Sequence, residues 1–429
     1  MQTRLRALLS GLCCTALLLN GGCALTPSVT VKEAPDPPID LNVWLIPGSG
    51  LEDIISVYQE QHPELSIHIQ SSAYEELPNK LQTAFAARYT SPDVAMIEVD
   101  FMDWFKRNPG YFYNLFDFGA EELKNQFLSW KWDQAVSDDG RFLYGLPTDI
   151  GPYAMIYRRD LFARAGLPTD PEEVSKQINT WDRFLEAGVQ LREKTNVAFI
   201  NDMESLYRVM INQAEEQYYD RAGHLIVESN PAVKRAWDYA LKAHENRLSA
   251  NLTIHTEKWS KGLTQDFAVM LCPAWLVASM KDSAPQADGL WNIAEIPEGY
   301  ASRGGSFLAL PVTGSHKEEA YQLIKWLTAP EQQLQTFINQ GTFPSTPSLY
   351  SKQTLLDYRD PYFNDAPIGD IYAKAARNVK PPFTGANHAT IQTELLKVLR
   401  KVDDGDLAAD RSWETMVRDI KALDEKLSQ

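Results

Sequence analysis

Residues Gly140 to Leu167 read GRFLYGLPTDIGPYAMIYRRDLFARAGL, and the layout of the chain follows from them. Tyr144 and Leu146 lead into Pro147, a residue that a central strand does not tolerate. The chain then passes through Thr148, Asp149, Ile150, Gly151 and Pro152 before Tyr153-Ala154-Met155-Ile156-Tyr157 resumes strand composition. Arg158 to Ala165 reads as a short helix stopped by Gly166. An Asp between Pro and Gly, midway between two apolar strands, predicts a segment that crosses from one compact unit to another. An acceptor at Asp149 would face whatever occupies the gap.

Upstream, Leu41-Asn42-Val43-Trp44-Leu45-Ile46 ends at Pro47-Gly48, and Ser49 and Glu52 have capping-box spacing before Leu51, Ile54, Ile55 and Tyr58 at i, i+3, i+4, i+7. This predicts a strand, a glycine turn and a helix N-terminus, with free N–H groups beside the strand end. Leu65, Ile67 and Ile69 alternate as a second strand ending near Tyr74. Leu77 to Tyr89 reads as a helix. Pro92 to Asp100 reads as a buried strand running into Phe101. The alternation predicts an α/β unit with a mostly parallel sheet, its ligand edge carrying Pro47, Gly48, Ser49, Tyr74, Asp100 and Phe101.

Beyond Asp149 the spacing predicts a helix over 181–194, a strand over 197–200, helices over 207–217 and 231–246, and strands over 267–272 and 291–297. Glu204 follows the 197–200 strand, and Trp275 exits the 267–272 strand. Arg303-Gly304-Gly305-Ser306 then leads a strand over 307–311, followed by a helix with Ser315 and Glu318 as a second capping box.

At 429 residues, 44% of them hydrophobic and 23% charged, the chain is long enough for two soluble units with cores of their own. A formal charge of −16 with no basic stripe argues against nucleic acid as a partner. Arg4 and Arg6 precede the apolar run Ala7 to Leu19, which is too short for a stable bilayer anchor and reads as an export signal over 1–22. Gly21-Gly22-Cys23 resembles a lipobox with Cys23 as the lipidated residue, although Asn20 stands where an aliphatic residue is usual. Residues 23–40, with Pro27, Pro35, Pro37 and Pro38, read as an extended tether.

Enzymatic motifs are scarce. The seven His show no HExxH, no Cys/His cluster accompanies them, and there is no Walker A or Gly-x-Ser-x-Gly. Neither a metal nor a cofactor is expected. Cys272 lies in an apolar strand and reads as an inert buried thiol. Glycoside hydrolysis stays open, because it needs only two carboxylates and Asp100, Asp149 and Glu204 all fall at segment ends. Binding uses more of the chain. Sugars present apolar C–H faces and hydroxyls, for which Trp275, Phe101, Tyr74 and Tyr153 can supply rings and Asp100, Asp149 and Glu204 acceptors.

Three blocks carry a resemblance. They are the crossover around Asp149, the strand Ala268 to Trp275, and Gly304-Gly305-Ser306-Phe307-Leu308-Ala309-Leu310-Pro311 with Lys317 to Thr328 behind it. Together with Trp44 to Pro63 they resemble, in order, the family 1 extracellular solute-binding proteins, the maltose-binding-protein-like receptors of sugar-type ABC importers. The resemblance implies the two-lobe periplasmic-binding-protein fold (type II-like), with a hinge of several crossovers and ligand in the interlobe cleft. It implies a first lobe of 41–148 and 303–345, and a second of 149–302 and 346–429. It implies a non-catalytic, exported, lipid-anchored monomer in the periplasm or on the outer face of the membrane, delivering a sugar or polyol to an ABC permease. A sensor of the same fold, passing its signal to a chemoreceptor or kinase, stays open beside it. By the same resemblance Trp275 stacks on the sugar, Asp149 and Asp100 accept hydroxyls, Gly305 and Ser306 offer backbone and hydroxyl contacts, and Glu204 and Arg377 are further second-lobe candidates.

Overall fold

The computed structural model describes residues 38–87, 91–385 and 387–428, which fall within one unit beginning at Pro38. The signal segment, Cys23 and all of the tether before Pro38 lie outside them. Eleven strands run in chain order among the described residues: β1 (Ile39–Leu45), β2 (Leu65–Ser71), β3 (Val94–Glu98), β4 (Leu146–Pro147), β5 (Asp149–Ile150), β6 (Tyr153–Arg158), β7 (Ala198–Ile200), β8 (Phe267–Pro273), β9 (Trp291–Ala294), β10 (Ser306–Ala309) and β11 (Phe343–Pro344).

They form two main sheets. The first has the order β2-β1-β3-β10-β4, with β2, β1 and β3 parallel and β10 antiparallel to both of its neighbours. Pro147 sits on its edge strand, where a missing N–H breaks no ladder. The second has the order β7-β8-β6-β9, in which β6 runs antiparallel to β8 and β9. Between them β5 pairs with β11, Ile150 opposite Phe343 and Asp149 opposite Pro344. The chain thus passes between the sheets three times, through 147–153, through 294–306 and through the stretch before β11.

Each sheet has its own apolar core, because a strand covered on both faces buries every residue. All five side chains of β3 and all seven of β8, Cys272 included, are buried. The first core gathers Leu41, Val43, Met96, Phe105, Trp132, Phe307 and the helix Lys317–Leu327. The second sheet has a cluster on each side, one around Tyr157, Trp181 and Trp237 and one around Cys272, Trp259 and Trp291. Phe337 and Phe343 pack into the last of these, while the first cluster reaches to Leu327.

Several elements differ from the expectation, in each case through a side-chain hydrogen bond. The strand read to Asp100 stops at Glu98, whose carboxylate accepts the Asp100 N–H at 2.7 Å and starts the helix Val99–Lys106. Asp100 and Phe101 therefore stand in a first helical turn, not at a strand end. The helix read over 207–217 runs Met203–Ile211, begun by Asp202, whose side chain accepts from Ser205 N–H at 2.7 Å. The second capping box does not form. Buried Asp93 instead accepts Ser315 N–H at 2.7 Å and His316 N–H at 3.2 Å, while its other oxygen holds Asn42 N–H. At the first box Ser49 Oγ does donate to Glu52 at 3.1 Å, and Gly50 supplies the left-handed φ of 79° at the cap.

Candidate functional site

The carboxyl edge of the first sheet presents Glu98, Asp100 and Phe101 from the turn after β3, and Tyr74 from the loop after β2. Tyr74 Oη donates to Asp100 Oδ2 at 2.7 Å. The Phe101 ring lies against Tyr74 with centroids 5.3 Å apart. Burial, and next the charge of Asp100, push the Glu98 carboxyl well above the usual carboxylate range. Lys131, in the helix Ser129–Gln134, is fully buried; its Nζ donates to Gly305 O at 2.9 Å and lies 3.9 Å from the Phe307 ring centre. Burial pushes that ammonium down to about 8, against the pull of Asp149 and Glu98.

The crossing segments meet this edge. Asp149 Oδ1 accepts the Ser306 N–H at 2.9 Å and the Thr148 hydroxyl at 2.7 Å, tying the first and second crossings together. Gly151 has no room for a side chain, since a Cβ there would stand 1.8 Å from Arg303 O. That close approach lets Arg303 N donate to Gly151 O at 2.8 Å. Trp275, at the N-terminus of the helix Leu276–Ser283, donates from Nε1 to Arg303 O at 3.0 Å. The Arg303 guanidinium lies 5.5 Å from the Trp275 ring centre. Tyr153, buried at the start of β6, faces the same guanidinium.

The opposite wall comes from two helices, Met203–Ile211 and His388–Asp403. Arg208 donates to Gln392 Oε1. His388 stacks on Tyr218, with ring centroids 5.3 Å apart, and its Nε2 stands 3.7 Å from Asp100 Oδ1 across the gap. Burial holds the imidazole below its usual pKa, so it is neutral at pH 7. Between the walls lies a cavity of about 40 Å³, lined among others by Asp100, Trp130, Gln134, Arg303, His388 and Gln392. This is room for two or three waters and less than a sugar ring occupies. Gln134 Oε1, Ser302 Oγ and His388 Nδ1 are buried there without a hydrogen-bond partner in the protein.

The fold thus brings Tyr74, Asp100, Phe101, Asp149, Tyr153, Trp275, Gly305 and Ser306 around Arg303. Glu204 is turned to Arg400, whose Nε donates to its carboxylate at 2.7 Å, and Arg208 one turn on bonds Gln392, which lines the cavity. Pro47 and Gly48 are exposed in their turn and Ser49 is held by Glu52. Arg377 is exposed and donates to Tyr350 O, away from these groups. Sequence reasoning passed over Glu98, Lys131, Arg208, Arg303, His388 and Gln392. Arg303 alone carried a usable signal, the Gly304-Gly305 pair that follows it. Among the described residues no group of His, Cys, Asp and Glu is arranged to hold a metal ion. No helix among them is long and apolar enough to cross a membrane.

Residues 43–334 match the profile of the bacterial extracellular solute-binding proteins, and the chain belongs to that family. Similar curated proteins include a lactose-binding protein of Rhizobium radiobacter, 28% identical over 64% of this chain and 66% of that protein. An arabinooligosaccharide-binding protein of Halalkalibacterium halodurans is 24% identical over 68% of each chain. The match thus spans about two thirds of the length of these relatives. A crystal structure of a family 1 extracellular solute-binding protein is 34% identical, covers 90% of this chain and 99% of its own, and superposes with a TM-score of 0.81.

Proposed function

We propose that this protein is the substrate-binding component of an ABC importer and that it holds a saccharide between its two lobes. The observation that carries the reading is the convergence, on one gap between two sheets, of the Trp275 ring with acids, amides, phenols and guanidinium groups drawn from both walls. A flat ring suits the C–H face of a pyranose, and the polar groups suit its hydroxyls. The lactose-binding and arabinooligosaccharide-binding relatives support a sugar as the ligand.

In this reading the lobes part at the three crossings to admit ligand and close on it. The cavity between them is too small for a sugar ring in the present arrangement, and a ligand that touches both walls favours the closed state by its differential affinity. Export under the signal over 1–22, anchoring through Cys23, a monomeric state and delivery to a membrane permease complete the proposal. No bond of the sugar is cleaved. Glu204 is bonded to Arg400 and Asp149 to Ser306 N–H, which suits structural and binding roles better than acid–base chemistry.

The test is thermal unfolding of residues 41–429 against mono-, di- and oligosaccharides and polyols. A ligand at 100 times its Kd stabilises by about 2.7 kcal/mol. Silence across the panel points to a non-sugar solute, and release of cleaved sugar overturns the transport reading.

A further inference from the structure

The charged groups of the cleft are not equally occupied. Asp100 is bonded by Tyr74 and faces His388, Asp149 is bonded by Thr148 and Ser306, and Glu204 by Arg400. The Lys131 ammonium is bonded to Gly305 O and covered by the Phe307 ring. Arg303, by contrast, lies beside Trp275 and Tyr153 and, among the described residues, has no carboxylate within the 4.0 Å of an ion pair. Arg208 bonds a neutral amide, Gln392, and its nearest carboxylate oxygen, Glu204 Oε2, is 4.0 Å away on a group already engaged by Arg400. The two guanidinium groups sense one another: burial first, and then the charge of Arg303, hold Arg208 below its usual range. Two partly exposed guanidinium groups, Arg303 on the cavity and Arg208 behind the Gln392 that lines it, neither closely paired with a carboxylate, form a receptor for an anion, which a planar guanidinium binds in a two-pronged contact.

We propose that the ligand is an acidic saccharide, a sugar bearing a carboxylate as in a uronic acid, and that Arg303 and Arg208 receive that carboxylate. This rests on the saccharide reading above and narrows it. Ser302 Oγ and His388 Nδ1, buried with 8% and 3% of their surface exposed and unpartnered in the protein, and Gln134 Oε1 beside them, are left to bond the ring hydroxyls. A single negative charge fits better than a dianion, because Asp100 lines the same cavity and repels further charge.

The experiment is titration calorimetry of the exported domain, residues 41–429, at 0.15 M salt, with neutral sugars and their acidic counterparts. The probes are galactobiose against digalacturonate, cellobiose against its uronate, and glucose against glucuronate and glucose 6-phosphate. At least one uronate is expected to bind ten-fold or more tightly than its neutral counterpart, and more tightly than the phosphate. Arg303→Met and Arg208→Met should each narrow that ratio ten-fold or more, with circular dichroism confirming the fold, while Arg303→Lys should keep part of the preference. Neutral sugars bound as tightly as uronates, or more tightly, overturn the proposal and leave saccharide binding standing. A preference for the phosphate overturns the carboxylate assignment. Binding of neither class overturns both readings, and an unchanged ratio in both methionine variants removes the arginines from the site.

Discussion

The two walls of the cleft are built on opposite plans. On the first, Glu98, Asp100 and Phe101 lie within four residues of one another and, with Tyr74, bond mainly among themselves. On the second, Arg208 and Gln392 meet across 184 residues of chain, and the positive charge of Arg208 is only partly matched, because the Glu204 carboxylate 4.0 Å away is engaged by Arg400. A wall that satisfies its own polar groups is rigid and orients a ligand; a wall that leaves charge uncompensated gains most when a ligand arrives. Between them the crossings hold the walls in register, and there glycine rather than charge decides the geometry.

The comparison breaks most readily at the crossing. Gly151→Ala would push a methyl into Arg303 O, 1.8 Å from the Cβ position, and is expected to cost upwards of about 3 kcal/mol in thermal unfolding. A variant of unchanged stability would show that the crossing tolerates the displacement and that the walls are not held in register there. Lys131 tests the first wall. Its folded pKa of about 8 lies below the 10.5 of a free lysine, so the unfolded chain binds the extra proton between those values. Stability should therefore rise from about pH 8 to pH 10.5, by roughly 3 kcal/mol at most. Denaturant unfolding of wild type and Lys131→Met across this window should differ by that slope, and parallel profiles would mean that the ammonium is not desolvated.

Trp275→Ala is expected to weaken sugar binding more than ten-fold, about 1.4 kcal/mol, with an intact circular dichroism spectrum; normal affinity would remove the ring from the site. The smallest effect is expected at Glu204→Gln. Because Arg400 already holds that carboxylate, ligand affinity should stay within about three-fold. A larger loss would turn Glu204 from Arg400 to the ligand.

Much of the first wall was legible because its residues are neighbours in the chain. A buried strand ending in an acid, an aromatic after it and a Tyr at the next loop can be read from spacing alone. The reading still misplaced the start of the helix at Val99, since the Glu98 side chain that begins it looks in sequence like one more strand residue. The same happened at Asp93, whose carboxylate replaces the Ser315 box from more than 200 positions away. Glu204 looked like a second-lobe acid facing the ligand, and only the docking of the helix His388–Asp403 engages it with Arg400. Arg208, His388 and Gln392 carried no local signal at all, being ordinary residues of amphipathic helices.

By itself, the sequence determined the α/β class, the crossing at Asp149 and Gly151, and the strands that deliver Tyr74, Asp100, Trp275 and Ser306. Alternating apolar periods, Pro, Gly and caps act over a few residues, and such information survives in one dimension. The tertiary structure alone decided which charges face the cleft and which are already bonded. A carboxylate and a guanidinium have no required spacing along the chain; their state depends on what lies within about 4 Å, and only packing sets that.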